Sequence, residues 1–444
     1  MVSGVLSRLL AVIPSKMESS LRLNKKDFTR ERKLPLPKLI VFILHLVGSG
    51  RTEGIDIEAG QFFRQARLSG LWPGCEAVHR SAVSKARKKV DWRLFRDILY
   101  KGAQLAYELI PNCAENTWKD MSVLAVDGSK YNLPATAEIR AEFDPDSGLQ
   151  STGRGHFPQS LTSTLYDVFR RIPVARTVMP HDANERNEAM ELLPDAPLNS
   201  LVMFDRGYPS YELIVYLQEQ FNGHFSIRCP ACNTFPAVVQ FVQSEMPESV
   251  IWIEPSQKYS KSLDLQTRKT LKPLKVRAIR MTDPEGKDSV LLTSLLDTHA
   301  YSHSEIIDLY FRRWEIEVYY RDEKVTMEVE KFHGKTSNSV RQELFAAAIV
   351  SLISRTVAAV AETVHGVNTG ECQKKNAHVV MASRAAVLVP YNPETALIVF
   401  EEILRDMARV KYYRPKAKRK TQPRVNKSKF NKWKHGKTRK SIGP

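Results

Sequence analysis

A chain of 444 residues can hold several domains and a large core, and 43% hydrophobic with 9% aromatic residues excludes a disordered or low-complexity protein. Five cysteines exclude a disulfide-stapled scaffold, and the longest apolar runs, LIVFIL from Leu39 and LFAAAIVSLIS from Leu344, read as too short to cross a bilayer. A net charge of +17 and a pI near 9.5 point to a polyanionic partner; fourteen lysines and arginines fall from Lys411 onward with no acid among them, leaving about +3 before it.

Residues 1–120 read as helical, with Leu-rich periodic segments near 5–13, 36–47, 56–68 and 76–90. EAGQFFRQARLSG and VHRSAVSKARKKV, joined through LWPGCEA, predict two helices around a tight connection. Lys85, Arg87 and Lys88, with Ser81, Ser84 and Lys89, would give the second a basic, hydroxyl-bearing face suited to phosphates and base edges. The plainer alternative is a solvated basic helix. DWRLFRDILYKGAQLAYELI predicts a further amphipathic helix ending before Pro111.

The pattern turns to β at Met121. SVLAVDGSKYNLP is a strand carrying Asp127 at the end of its apolar core, and SLTSTLYDVFRRIPVARTVMP reads as two strands with a turn near Arg171–Pro173. NERNEAMELL predicts a short helix, SLVMFDRGYPS a strand with Asp205 just past its apolar stretch, and YELIVYLQEQF a helix. GHFSIRCP, AVVQFVQSE, SVIWIEP, LKVRAIRMT and SVLLTSLLD then all read as β-type runs. Cys229-x2-Cys232 invites a zinc reading, but a structural site needs four ligands and no second pair lies nearby. Trp252 could stack on an extruded base, although a core position on an alternating strand is the better account.

The stretch HSEIIDLYFRRWEIEVYYRDEK, from His303 to Lys324, predicts one uninterrupted helix with Ser304 as N-cap and Glu305 in the first turn. At about 100° per residue, Ile307, Trp314, Val318 and Val325 form an apolar stripe with Phe311 at its edge. Beside it Tyr310, Arg313, Glu317 and Lys324 share an arc of roughly 60°, with Asp322 and Glu323 turned away. A carboxylate flanked by those cations is what a site needs to hold a divalent metal and grip a phosphate at once. VRQELFAAAIVSLISRTVAAVAETV then reads as a buried helix, and residues 365–410 as a loop and an amphipathic helix. The tail KYYRPKAKRKTQPRVNKSKFNKWKHGKTRKSIGP reads as a nucleic-acid arm that orders on binding.

The spacing Tyr310-x2-Arg313-x3-Glu317-x6-Lys324 resembles the Tyr-Arg-Glu-Lys signature of the DDE transposases named after insertion sequence four, and LYFRRWEIEVYY, VLLTSLLD, VDGS and FDRGYPS look like the same family. The resemblance covers residues 121–360 well and the two ends loosely. It implies an α/β protein: an N-terminal helical DNA-binding domain (1–120), an RNase H-like core (121–222 and 301–365) interrupted by a β-rich insertion (223–300), and a C-terminal helical region with a basic tail (366–444). It also implies a transposase that cuts DNA at transposon ends and transfers the strands into target DNA.

Cleavage of a phosphodiester places extra negative charge on phosphorus, which two divalent cations about 3.5–4 Å apart can stabilise. Asp127, Asp205 and Glu317 are the expected catalytic residues and ligands of two Mg²⁺ ions, with Mn²⁺ a substitute and Asp127 bridging by family analogy. Arg313 and Lys324 are expected to hold the transposon-end backbone, Tyr310 to donate to a phosphate oxygen, and Lys85, Arg87 and Lys88 to contact DNA. The partners would be terminal inverted repeats and target DNA, with no membrane, a homodimer in the DNA complex, and a bacterial cytoplasmic location on the nucleoid. Two alternatives keep the same core: a related nuclease that cuts without joining, and an inactive DNA-binding regulator.

Overall fold

A computed structural model describes residues 1–16, 21–24, 26–28, 33–50, 53–144, 157–282 and 288–412. Contacts divide the chain into two units, Met1–Lys411 and Tyr412–Pro444, and every element below belongs to the first. Apart from Lys411 and Tyr412, the basic tail lies outside the described residues.

Five helices open the chain: α1 (Val2–Leu10), α2 (Leu36–Gly48), α3 (Ile55–Leu68), α4 (Arg80–Arg87) and α5 (Arg93–Leu109). Helix α2 is apolar on every side and therefore buried nearly throughout; its one polar ring, His45, is matched inside by Glu58 Oε2 at 3.2 Å and the carbonyl of Ala382 at 2.9 Å. The chain continues through β1 (Ser122–Asn132), α6 (Ala137–Phe143), β2 (Gln159–Asp167), β3 (Ile172–Pro180), α7 (Glu185–Leu192), β4 (Ser200–Phe204), α8 (Tyr211–Glu219) and β5 (Gly223–Pro230). Next come α9 (Pro236–Gln243), β6 (Glu248–Ile253), α10 (Gln257–Ser262), α11 (Leu265–Thr270), β7 (Leu274–Thr282) and β8 (Asp288–Thr293). Five helices close it: α12 (His303–Phe311), α13 (Glu315–Val325), α14 (Ser337–Val364), α15 (Lys374–Ser383) and α16 (Pro393–Arg409).

The eight strands form one mixed sheet in the order β3-β2-β1-β4-β5-β8-β7-β6. β1 runs parallel to β4 and β4 parallel to β5, while every other neighbouring pair is antiparallel. Residues 223–300, expected as an insertion, thus prolong the same sheet rather than build a second one. Helix α14 is the axis of the helical layer: α2, α5, α15, α16 and β3 all lie against it. At 28 residues it is long and apolar enough to cross a bilayer, which the shorter run read from the sequence understated, yet its apolar window is wholly buried in the protein.

Two other expectations need correcting. AVVQFVQSE is helix α9: Pro236 stands at its start, and Val238 and Phe241 are buried at a spacing of three, a helical rather than an alternating period. The predicted single helix over residues 303–324 is two. Its N-cap is Ser302, in a capping box with Glu305, and a 3-10 turn at Arg312–Trp314 separates α12 from α13. Each 3-10 residue advances about 120° instead of 100°, so three of them rotate the following helix by about 60°. Ile306, Leu309, Tyr310, Arg313, Ile316, Tyr319, Tyr320 and Glu323 consequently face inward, while Phe311, Trp314 and Val325 of the predicted apolar stripe are 50% or more exposed.

Candidate active site

The site begins with strand pairing. β1 and β4 are parallel neighbours with Val126 opposite Phe204, and Asp127 and Asp205 are the next residue on each. Residues separated by 78 positions in sequence therefore come side by side where β4 ends, midway along β1, with parallel strands about 4.8 Å apart. Gly128 after Asp127 and the Arg206-Gly207 turn after Asp205 end the apolar runs there, so both carboxylates are only partly buried.

Helix α13 packs on β1 and brings Glu317 to that end. Arg313, in the 3-10 turn, is buried and donates from Nη2 to Glu317 Oε1 at 2.9 Å. Among the described residues its Nε and Nη1 have no hydrogen-bond partner, and neither has the buried Oδ1 of Asp205. Arg313 also feels the charges of Asp205 and Asp127. Burial, first, and the nearby charges of Glu317 and Asp205 push the Asp127 carboxyl up to about 7, against the pull of Arg313 and the Gly128 amide. Arg313 thus bonds Glu317 and lies within electrostatic reach of both aspartates.

This set suits a hard divalent cation in its donor chemistry, since all three ligands are carboxylate oxygens and one of those oxygens is buried without a partner. Among the described residues, however, no three acidic, His or Cys groups already stand as a cation-holding cluster. In this conformation Arg313 donates to Glu317 Oε1.

Tyr310 and Lys324 join the rim differently from expectation. Tyr310 is buried, and its hydroxyl donates to the carbonyl of Phe204 at 3.2 Å, tying α12 to the end of β4 just before Asp205. Lys324 Nζ donates to Ser129 Oγ and to the carbonyl of Lys130, both at 2.7 Å, and lies over the Tyr131 ring. Both anchor the helices in this conformation.

In the N-terminal helices, Lys85 and Lys88 are exposed, and Lys85 lines a groove of about 710 Å³ with Lys26, Lys33, His79 and Lys89. Arg87 is a correction: it is buried, pairs with Glu343 at 2.8 Å, and donates to Gln342 Oε1 at 3.1 Å and the Ser339 carbonyl at 2.9 Å. Its donors face α14, so it joins α4 to the core and cannot also face DNA. Cys229 is buried against Thr234 Oγ1 at 2.8 Å while Cys232 is exposed. Trp252 is half exposed on β6, at the edge of the sheet, not in the core.

Sequence reasoning missed the layer beneath the site: Tyr131, Arg176, Tyr319, Tyr320 and Glu323. Glu323 had been read as turned away from the useful arc, yet it is fully buried with Arg176 at 2.8 Å. The Tyr319-Tyr320 doublet with a glutamate four residues after Tyr319 was the available signal.

The chain is similar to several known proteins. Residues 118–353 match a family model described as a transposase DDE domain. The transposase InsG of insertion sequence element IS4 from Escherichia coli K12 is 26% identical over 323 residues, covering 71% of this chain and 68% of that protein. A probable transposase for insertion sequence element IS5377 from Geobacillus stearothermophilus is 34% identical over 303 residues, covering 66% of this chain and 71% of that protein. Among solved structures, the piggyBac transposase synaptic complex with hairpin DNA aligns with a TM-score of 0.40 and 11% identity, over 92% of this chain and 82% of that one. With its signature spacing in place and more than half its length matched by the family model, the chain belongs to the DDE transposases of the insertion sequence four family, enzymes that use divalent metal ions to cleave DNA and transfer its strands.

Proposed function

We propose that this transposase cuts DNA at the terminal inverted repeats of its own insertion sequence and joins the freed ends to target DNA, with Asp127, Asp205 and Glu317 as the catalytic carboxylates of an RNase H-like core. The observation that carries the reading is that two adjacent parallel strands and one helix bring these three carboxylates within electrostatic reach of one another and of Arg313, which bonds Glu317 and has donors without a partner among the described residues. The strand order β3-β2-β1-β4-β5, antiparallel on one side of β1 and parallel on the other, supports the RNase H-like assignment.

Asp127, Asp205 and Glu317 would hold two Mg²⁺ ions, which supply Lewis-acid charge and lower the pKa of the attacking water or 3′-hydroxyl. Glu317 would serve as a ligand through Oε2, which Arg313 does not engage, and the Nε and Nη1 of Arg313, without a partner among the described residues, would remain for a phosphate, a geometry guanidinium suits. Lys324, held at Ser129 and Lys130, adds positive charge at the same rim. Lys85, Lys88 and the tail from Lys411 onward supply further phosphate contacts. Two copies of the chain would engage the two element ends, on the nucleoid in a bacterial cytoplasm.

The test is cleavage of a duplex carrying the element's terminal repeat, in Mg²⁺, beside end-binding measured without turnover. Asp127→Asn, Asp205→Asn and Glu317→Gln should each lower cleavage by at least about a thousandfold, as loss of a charge-stabilising group does, while binding persists. A variant that cuts near the wild-type rate removes that residue from the site.

A further inference from the structure

The three carboxylates stand on separate elements, so their mutual distances depend on how α13 is held against β1. The bonds that hold it are directional and buried. The Tyr320 hydroxyl lies 2.7 Å from the carbonyl of Asp127 itself and 3.1 Å from that of Thr162 on the neighbouring strand. One turn further, Glu323 accepts from Tyr319 at 2.6 Å and from Arg176 of β3 at 2.8 Å through Oε1, and from the Tyr131 hydroxyl of β1 through Oε2. Arg176 in turn donates to Thr164 Oγ1 at 3.2 Å and to the carbonyl of Leu344 on α14 at 2.6 Å.

From these contacts we propose that Tyr320, backed by the buried Glu323–Arg176 pair, is a positioning residue that sets where Glu317 stands relative to Asp127. The inference rests on the reading that these two carboxylates act together on DNA. Apolar packing alone would bury α13 but leave it free to slide or roll on the sheet, because dispersion contacts have little directionality. A hydroxyl at the Asp127 carbonyl and a carboxylate bonded to Tyr131, four residues along the same strand, fix both the height and the rotation of the helix. Glu317 and Tyr320 lie three residues apart on one helix face, so a shift at Tyr320 is passed directly to Glu317. A buried ion pair is seldom the most stabilising choice at such a place, since well-packed apolar residues do as well or better. Its return here is register.

The experiment uses the full chain, Mg²⁺ and the same terminal-repeat duplex. Tyr320→Phe keeps the ring and removes only the hydroxyl. At saturating DNA its cleavage rate should fall about tenfold to a hundredfold, the cost of misplacing a reacting group by about an ångström. End-binding affinity and melting temperature should stay near wild type, and Mn²⁺ affinity of the DNA complex, followed by electron paramagnetic resonance, should weaken. The quadruple variant Tyr131→Phe/Arg176→Met/Tyr319→Phe/Glu323→Met replaces the ion pair, and the two hydroxyls Glu323 satisfies, with apolar volume; its melting temperature should hold or rise while its cleavage rate falls. Wild-type cleavage by Tyr320→Phe overturns the proposal, and so does a rate loss matched by an equal loss of melting temperature. Asp127→Asn in the same assay separates the two ideas, since normal cutting by that variant overturns the carboxylate reading instead.

Discussion

Two arginine–glutamate pairs meet on α13, their glutamates six residues apart, and they have opposite characters. In the first, Arg176 and Glu323 are wholly buried, and Nε, Nη1 and Nη2 of the arginine each have a partner. In the second, Arg313 is almost as deeply buried but, among the described residues, bonds through Nη2 to a Glu317 side chain that is 32% exposed and has no partner for Nε and Nη1. Native proteins rarely leave buried donors unpaired, and where they do the deficit commonly marks a place reserved for something else. The difference separates a frame from a working site. Glu323 is held in one geometry; Glu317 is held by a partner that a phosphate could take from it.

The largest effect should come from breaking the frame. Arg176→Ala leaves Glu323 buried without its counter-charge, and loss of one partner from such a pair costs about 3–5 kcal/mol. A marked fall in melting temperature on thermal denaturation is expected, and an unchanged one would mean that water or a neighbour replaces the arginine. Arg313→Ala should do the reverse at the working site. Removing that charge frees Glu317, so DNA-free protein should bind Mn²⁺ more tightly by calorimetry, while affinity for end DNA falls. Tighter metal binding without any loss of DNA affinity would take Arg313 off the phosphate.

The smallest effect is in pH dependence. Burial, reinforced by Glu317 and Asp205, lifts Asp127 from its ordinary 3.8 to about 7. Between those values the folded protein keeps a proton that the unfolded chain has lost, so this group's contribution favours folding most below about pH 4 and disappears as pH rises through about 7. Metal-free Asp127→Asn should flatten that slope in melting temperature between the two limits. An unaltered slope would assign the titration to another group.

Much of this was legible without coordinates. The strands that present Asp127 and Asp205 declare themselves as short apolar runs, each followed at once by an aspartate and a glycine-bearing stretch, and α2, α5 and α7 follow from local periodicity. The signature spacing picked out Glu317 and Arg313. Arg87 and α9 were misread because one helix face looks basic in sequence until α14 covers it, and because Val-rich runs are compatible with either period until burial selects one. The inward face of α12 and α13 was misread for a similar reason. A wheel drawn at a constant angle cannot register a 3-10 turn, and hydropathy ranks tyrosine, arginine and glutamate as outward residues.

The sequence by itself determined most of the elements, the candidate carboxylates and the family, because propensity, turn chemistry and spacing act over a few residues. Only the tertiary structure decided that β1 lies beside β4, that Arg313 holds Glu317, and that Glu323 is bonded to Arg176 and Tyr131 beneath the site. Those are contacts between residues tens to hundreds of positions apart, where a polar side chain can be buried only when the partner that satisfies it has been brought there by the fold.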